Sequence, residues 1–180
     1  MTDPHTAKTL SNSELSTQHL CGLMADLMQK NGLKLATAES CTGGLIAAAC
    51  TDLAGSSAWF ERGFVSYSNE AKAELLGVDA GLIEREGAVS EAVARAMALG
   101  VLSHSHAQAA LAVTGVAGPS GGSAAKPVGT VCFGFAVPGQ ALTESRHFEG
   151  DRAAVRAASV RHALGRLVEL LGSSQMAAGH

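Results

Sequence analysis

The sequence predicts an α/β fold, a mixed sheet with helices on both of its faces, and two observations carry that prediction. Segments with helical apolar spacing stand at both ends of the 180-residue chain, and runs fit for strands are crowded between them. The last two strand-like runs meet at Pro138-Gly139, a spacing that makes them an antiparallel hairpin. With 47% hydrophobic and 16% charged residues, the chain buries a substantial core and reads as one domain over residues 14–171, between loose tails at 1–13 and 172–180.

The elements follow in order. From Glu14 to Lys30, Leu20, Leu23, Met24, Leu27 and Met28 share one helical face, and Asn31-Gly32 ends the helix. Leu33 to Ala38 is a strand. Leu45 to Leu53 is a helix whose Leu-Ile-Ala-Ala-Ala-Cys run has almost no polar face, so burial is expected. After a loop at Ala54 to Ser57, Phe64 to Ser68 is read as a strand and Asn69 to Leu76 as a short helix stopped by Gly77. Ser90 caps a helix running through Leu102, with Val93, Met97 and Val101 on one face. Ala109 to Thr114, Val128 to Ala136 and Ala141 to Phe148 are strands. Asp151 caps a final helix, along which Val160, Leu164, Leu167, Val168 and Leu171 form an apolar stripe.

Composition excludes several classes of function. The net charge is -3 and no Lys/Arg run occurs, which argues against a nucleic-acid surface and for a small partner. No apolar run approaches the roughly 20 residues of a membrane span. Cys21, Cys41, Cys50 and Cys132 have no paired spacing and no leader precedes them, so reduced thiols in a cytoplasmic protein are expected. Gly-x-Gly and Gly-Lys are absent, which removes the dinucleotide fingerprint and the Walker A loop. The seven histidines show no metal-ligand spacing, and His104 and His106 sit at a helix C-terminus, where imidazolium is welcome on dipole grounds.

The chemistry concentrates at Glu39-Ser40-Cys41-Thr42-Gly43-Gly44, between a strand and a helix. Unpaired N–H groups gather at such a junction, beside the positive end of a helix dipole, so a hydroxyl there can bind or catalyse. The plain alternative has equal weight: Thr42 caps the helix while Gly43 and Gly44 permit tight packing. A hydroxyl nucleophile without a Ser-His-Asp set needs another base, and two lysines compete. Ser123-Ala124-Ala125-Lys126 matches Ser-x-x-Lys in form but lies in a glycine loop without its companion motifs. Lys72 falls in the first turn of a helix, where the dipole depresses its pKa and makes it a usable base. The ordinary reading, a solvated lysine near Glu70 or Glu74, is the stronger one on these residues alone. The glycine cluster from Thr114 and Gly115 to Gly122 is too long for a turn and serves as a ligand lip or a mobile connection. Arg152 and Arg156 are placed to pair with a phosphate or, more ordinarily, with Asp151 or solvent, and Arg62 and Tyr67 are further pocket candidates.

Taken together, six blocks resemble the CinA C-terminal domain family. They are Ala-Glu-Ser-Cys-Thr-Gly-Gly at 38–44, the Ala-Gly-Ser-Ser-Ala-Trp-Phe-Glu-Arg-Gly-Phe-Val-Ser-Tyr-Ser-Asn-Glu-Ala-Lys run at 54–72, Gly-Ala-Val-Ser at 87–90, Thr-Gly-Val-Ala-Gly-Pro-Ser-Gly-Gly at 114–122, Lys-Pro-Val-Gly-Thr-Val at 126–131 and Gly-Asp-Arg at 150–152. The resemblance covers roughly residues 14–171 in matching order and implies a three-layer α/β/α sandwich. It also implies hydrolysis of the carboxamide of nicotinamide mononucleotide, in pyridine nucleotide salvage, as stand-alone members typically do. The mechanism it implies uses no metal and no cofactor. Ser40 becomes the nucleophile, Lys72 the base and Tyr67 the residue that orients them, with oxyanion donors near Thr42, Gly43 and Gly44 or near Thr114 and Gly115. Arg152 and the glycine loop become candidates for the substrate phosphate. A homodimer or larger homo-oligomer is implied as well. Two other classes stay open: a catalytically silent nucleotide-binding module acting through a protein partner, and a serine amidase with a different amide substrate.

Overall fold

The computed structural model describes residues 15–177, and side chains as far as Ser173. The expected tail at 1–13 lies outside the described residues. The first helix, α1 (Thr17–Lys30), starts three residues later than Glu14 because Ser16 accepts a hydrogen bond from the His19 N–H and so caps it. Then follow β1 (Leu35–Glu39), α2 (Leu45–Thr51), β2 (Phe60–Val65), α3 (Asn69–Leu76), α4 (Ala80–Glu86), α5 (Glu91–Ser103), β3 (Ala109–Gly115), β4 (Thr130–Val137), β5 (Gln140–His147) and α6 (Arg152–Ala177).

The five strands form one sheet in the order β2-β1-β3-β4-β5. β1 runs parallel to both β2 and β3, while β4 is antiparallel to β3 and to β5. The expected mixed sheet is present, with β4 and β5 as its hairpin. Strand alternation divides the core into two layers. Leu35, Leu111, Val113, Phe133 and Phe135 face α1, α2 and α6, and the smaller Ala36, Ala38, Ala110 and Ala112 face α3, α4 and α5. The alanine side lets α5 lie close on the sheet. A Cβ at Gly134 would stand 2.2 Å from the Ala94 carbonyl oxygen of that helix, so only glycine fits there.

Other elements differ from expectation too. β2 ends at Val65, not Ser68, because Ser68 caps α3 by accepting from the Ala71 N–H. α4 was not expected at all; Asp79 caps it, Gly87 ends it, and Ile83 anchors it. α2 is not wholly buried: Ile46 and Cys50 face the core, whereas Leu45 is 39% exposed. The final helix continues to Ala177, past the Gly172 at which a tail was expected.

Because β1, β2 and β3 run in one direction, their carboxyl ends open on one side of the molecule. Ligands of open α/β sheets bind there. Glu39-Ser40 leaves β1, Ser66-Tyr67 leaves β2 and Gly115 closes β3, so three chain segments distant in sequence converge at one end of the sheet.

Candidate active site

Ser40 continues the β1 trajectory by one residue, its N–H donating to the Val113 carbonyl on β3 at 3.0 Å. The chain then turns sharply. Gly43 and Gly44 take φ values of +59° and +97°, a region that favours glycine, and α2 starts immediately afterwards. Lys72 reaches the same place from α3. Its Nζ donates to Ser40 Oγ at 3.3 Å and to the carbonyls of Ser66 at 3.1 Å and Tyr67 at 3.2 Å. The Ser40 hydroxyl in turn contacts the Tyr67 carbonyl at 3.4 Å.

Lys72 is 1% exposed and no carboxylate forms an ion pair with it among the described residues. Burial therefore lowers its pKa from 10.5, with only weak opposition from Cys41 and Glu70. The expected direction holds, but desolvation is its main cause rather than the helix dipole. The solvated-lysine alternative is excluded by the same burial. A lysine with a lowered pKa beside a serine hydroxyl has the geometry in which an amine can act as base for a hydroxyl nucleophile.

The two groups line a cavity of about 210 Å³ together with Tyr67, Asn69, Thr114 and Arg152. Tyr67 contributes in an unexpected way. Its backbone carbonyl touches both members of the pair, whereas its phenol is solvent-exposed and accepts from Arg152 Nη2 at 3.3 Å. Arg152 Nη1 donates to the Gly118 carbonyl at 2.8 Å, which ties the start of α6 to the glycine loop at the cavity mouth. Thr114 turns its hydroxyl toward the Ala88 carbonyl at 2.9 Å, and Gly115 packs against Val131.

The donors proposed at the turn are mostly taken. Gly43 N–H bonds to the Ser40 carbonyl, and Leu45 N–H to the Thr42 carbonyl. Gly44, Ile46 and Ala47 donate to the buried carboxylate of Glu39, at 3.1, 3.0 and 2.8 Å. Sequence reasoning passed over Glu39 as a part of the site, although a carboxylate just before a helix is a known way to satisfy its free N–H groups. Arg156 was also misplaced. It donates through Nε to the Cys41 carbonyl at 3.1 Å and through Nη2 to the Thr42 carbonyl at 3.0 Å, so it holds the turn and does not stand beside Arg152 as a phosphate fork.

Other candidates lie apart from the cavity. Arg62 pairs with the adjacent Glu61, and Lys126 Nζ donates to the Glu86 carbonyl at 2.7 Å, while Lys126 meets Ser123 Oγ only through its backbone N–H. All four cysteines are buried free thiols; burial and the neighbouring Glu39 push the Cys41 thiol up to about 11. Among the described residues no three His, Cys, Asp or Glu side chains converge as metal ligands, and no helix is long and apolar enough to cross a membrane.

Known proteins share the fold and much of the sequence. The CinA C-terminal domain profile matches residues 17–171. A protein of Enterobacter agglomerans named nicotinamide-nucleotide amidohydrolase PncC is 61% identical over 130 residues, covering 72% of this chain and 79% of its own length. The Escherichia coli K12 protein of the same name is 49% identical over 156 residues, 86% of this chain and 93% of the relative. A solved structure of competence damage-inducible protein A from Klebsiella pneumoniae superposes with a TM-score of 0.85 at 41% identity, covering 88% of this chain and 98% of that one.

Proposed function

This chain belongs to the CinA C-terminal domain family, and from that premise we propose that it hydrolyses the carboxamide of nicotinamide mononucleotide to the carboxylate and ammonia. The observation that carries the reading is the 3.3 Å contact between buried Lys72 Nζ and Ser40 Oγ at a cavity wall.

In the reaction, neutral Lys72 takes the hydroxyl proton as Ser40 Oγ bonds to the carboxamide carbon. The tetrahedral intermediate collapses when the C–N bond breaks, and the proton held on Lys72 passes to the departing nitrogen, which leaves as ammonia. Water then attacks the ester on Ser40, again giving its proton to Lys72, and that proton returns to Ser40 Oγ as the nicotinate nucleotide is released. Arg152, at the mouth, is the candidate ligand for the phosphate, which extends beyond the small cavity.

The pathway that fits this reaction is pyridine nucleotide salvage. Family resemblance also supports a cytoplasmic homodimer or larger assembly, which size-exclusion chromatography measures directly. The deciding experiment is ammonia release from nicotinamide mononucleotide by purified protein, with Ser40→Ala alongside. Release in the wild type and none in a folded Ser40→Ala variant is the expected result; turnover by that variant overturns the serine mechanism, and tight binding without turnover in the wild type points to the silent module.

A further inference from the structure

The turn that carries Ser40 is gripped from two sides by opposite charges. On one side the Glu39 carboxylate, 1% exposed, takes the N–H groups of Gly44, Ile46 and Ala47. On the other, the half-buried Arg156 guanidinium from α6 lies across the turn, 3.6 Å from where a Cβ of Gly43 would stand, and binds two consecutive carbonyls, those of Cys41 and Thr42. Neither group touches Ser40 Oγ or Lys72 Nζ.

Peptide planarity converts these contacts into orientations. A carbonyl and the following N–H point to opposite sides of a trans peptide. Holding the Cys41 carbonyl against Arg156 therefore aims the Thr42 N–H away from α6. Holding the Thr42 carbonyl there aims the Gly43 N–H back to the Ser40 carbonyl, which it meets at 3.0 Å. From Ser40 to Ala47, only the Cys41 and Thr42 amides lack an oxygen acceptor among the described residues. They directly follow the nucleophile. By absorbing the α2 donors, Glu39 leaves these two as the turn's N–H groups without an oxygen partner, the Cys41 amide meeting only its own thiol.

We infer that Glu39 and Arg156 are positioning residues: the pair fixes the 40–44 turn so that Ser40 Oγ stays on Lys72 and the Cys41 and Thr42 amides stay free for the negative oxygen of the tetrahedral intermediate. The inference rests on the amidohydrolase reading for its catalytic meaning, but the clamp itself is measurable without substrate. Both guanidinium contacts go to backbone carbonyls, which leaves the phosphate to Arg152. A lysine in place of Arg156 keeps the charge and loses the fork.

The test uses Glu39→Gln and Arg156→Lys, with Val101→Ala as a control that opens the core layer on the opposite face of the sheet, away from α2 and α6. Steady-state kinetics on nicotinamide mononucleotide are measured beside amide hydrogen exchange of residues 40–47 without ligand. Both clamp variants are expected to exchange faster there and to lose about 10²-fold in kcat with KM little changed, the scale of a misplaced reacting group. Val101→Ala is expected to lose thermal stability while keeping kcat. A raised KM with unchanged kcat in Arg156→Lys would make Arg156 a phosphate ligand and overturn the clamp. Equal kcat losses in Val101→Ala and the clamp variants would reduce the effect to general stability and overturn it too. If the wild type releases no ammonia, the substrate reading fails on its own, while unchanged exchange in both clamp variants would still refute the clamp.

Discussion

Lys72 Nζ lies 3.3 Å from Ser40 Oγ in a site where the amine is almost wholly buried and has three backbone carbonyls but no carboxylate around it. Burial without a paired carboxylate lowers the pKa of the amine, which suits it to accept a proton on the proposed reading. Replacing Lys72 with Met should cut kcat/KM by about 10²- to 10⁴-fold, the usual contribution of a positioned base.

The same burial sets a pH dependence. Activity should rise with pH as Lys72 deprotonates, with an inflection below 10.5, its ordinary value. Between the lowered folded pKa and 10.5 the unfolded chain binds more protons than the folded one, so Lys72 adds a rise of stability with pH across that window. Denaturant titrations at stepped pH should show this rise in the wild type and not in Lys72→Met.

Tyr67 and Arg152 separate backbone from side-chain roles. The Tyr67 carbonyl contacts both Ser40 Oγ and Lys72 Nζ and its phenol meets Arg152, so on the proposed mechanism Tyr67→Phe should leave kcat near the wild-type value. Arg152→Ala should instead raise KM for the nucleotide by about tenfold or more, the cost of one charged hydrogen bond. Steady-state kinetics of both variants check the division; a collapse of kcat in Tyr67→Phe would return the phenol to the chemistry.

On the far edge of the sheet, His162 packs against Phe133 at 4.7 Å and its ring contacts Glu144, which Arg146 and Arg166 also bind. Burial lowers the His162 pKa despite the pull of Glu144. Below 6.5 the unfolded chain takes up a proton that the folded ring resists, so stability should drop as pH falls through and below that value. Melting temperatures from pH 7 downward should fall less steeply in His162→Phe, which keeps a ring against Phe133.

Gly134→Ala should destabilise the fold by about 1–3 kcal/mol or more through overpacking against α5, and chemical denaturation measures it.

The sheet and most helices were legible because their apolar periodicities are strong, and the hexapeptide was legible because strand, polar turn and small-residue helix follow one another without a gap. β2 was shifted because it is an edge strand whose Glu61, Arg62 and Gly63 dilute the pattern. α4 was hidden by its shortness and by having Ile83 as its one buried side chain. Lys72 could be found by position but its burial could not, since the walls around it come from the segments that leave β1 and β2. Arg156 was unreadable for a stronger reason: its partner carbonyl at Cys41 is 115 positions away, and no local pattern encodes that closure.

The sheet's three parallel carboxyl ends also divide labour between parts that must stay and a part that can vary. Ser40 and Lys72 hang on segments leaving β1 and β2, while the glycine loop after β3 makes no hydrogen bond to either residue among the described contacts. Changes in that loop therefore reach the cavity through Ala117, which lines it, and through the Gly118 carbonyl that Arg152 holds, and so act on what the cavity admits before they act on the Ser40–Lys72 contact.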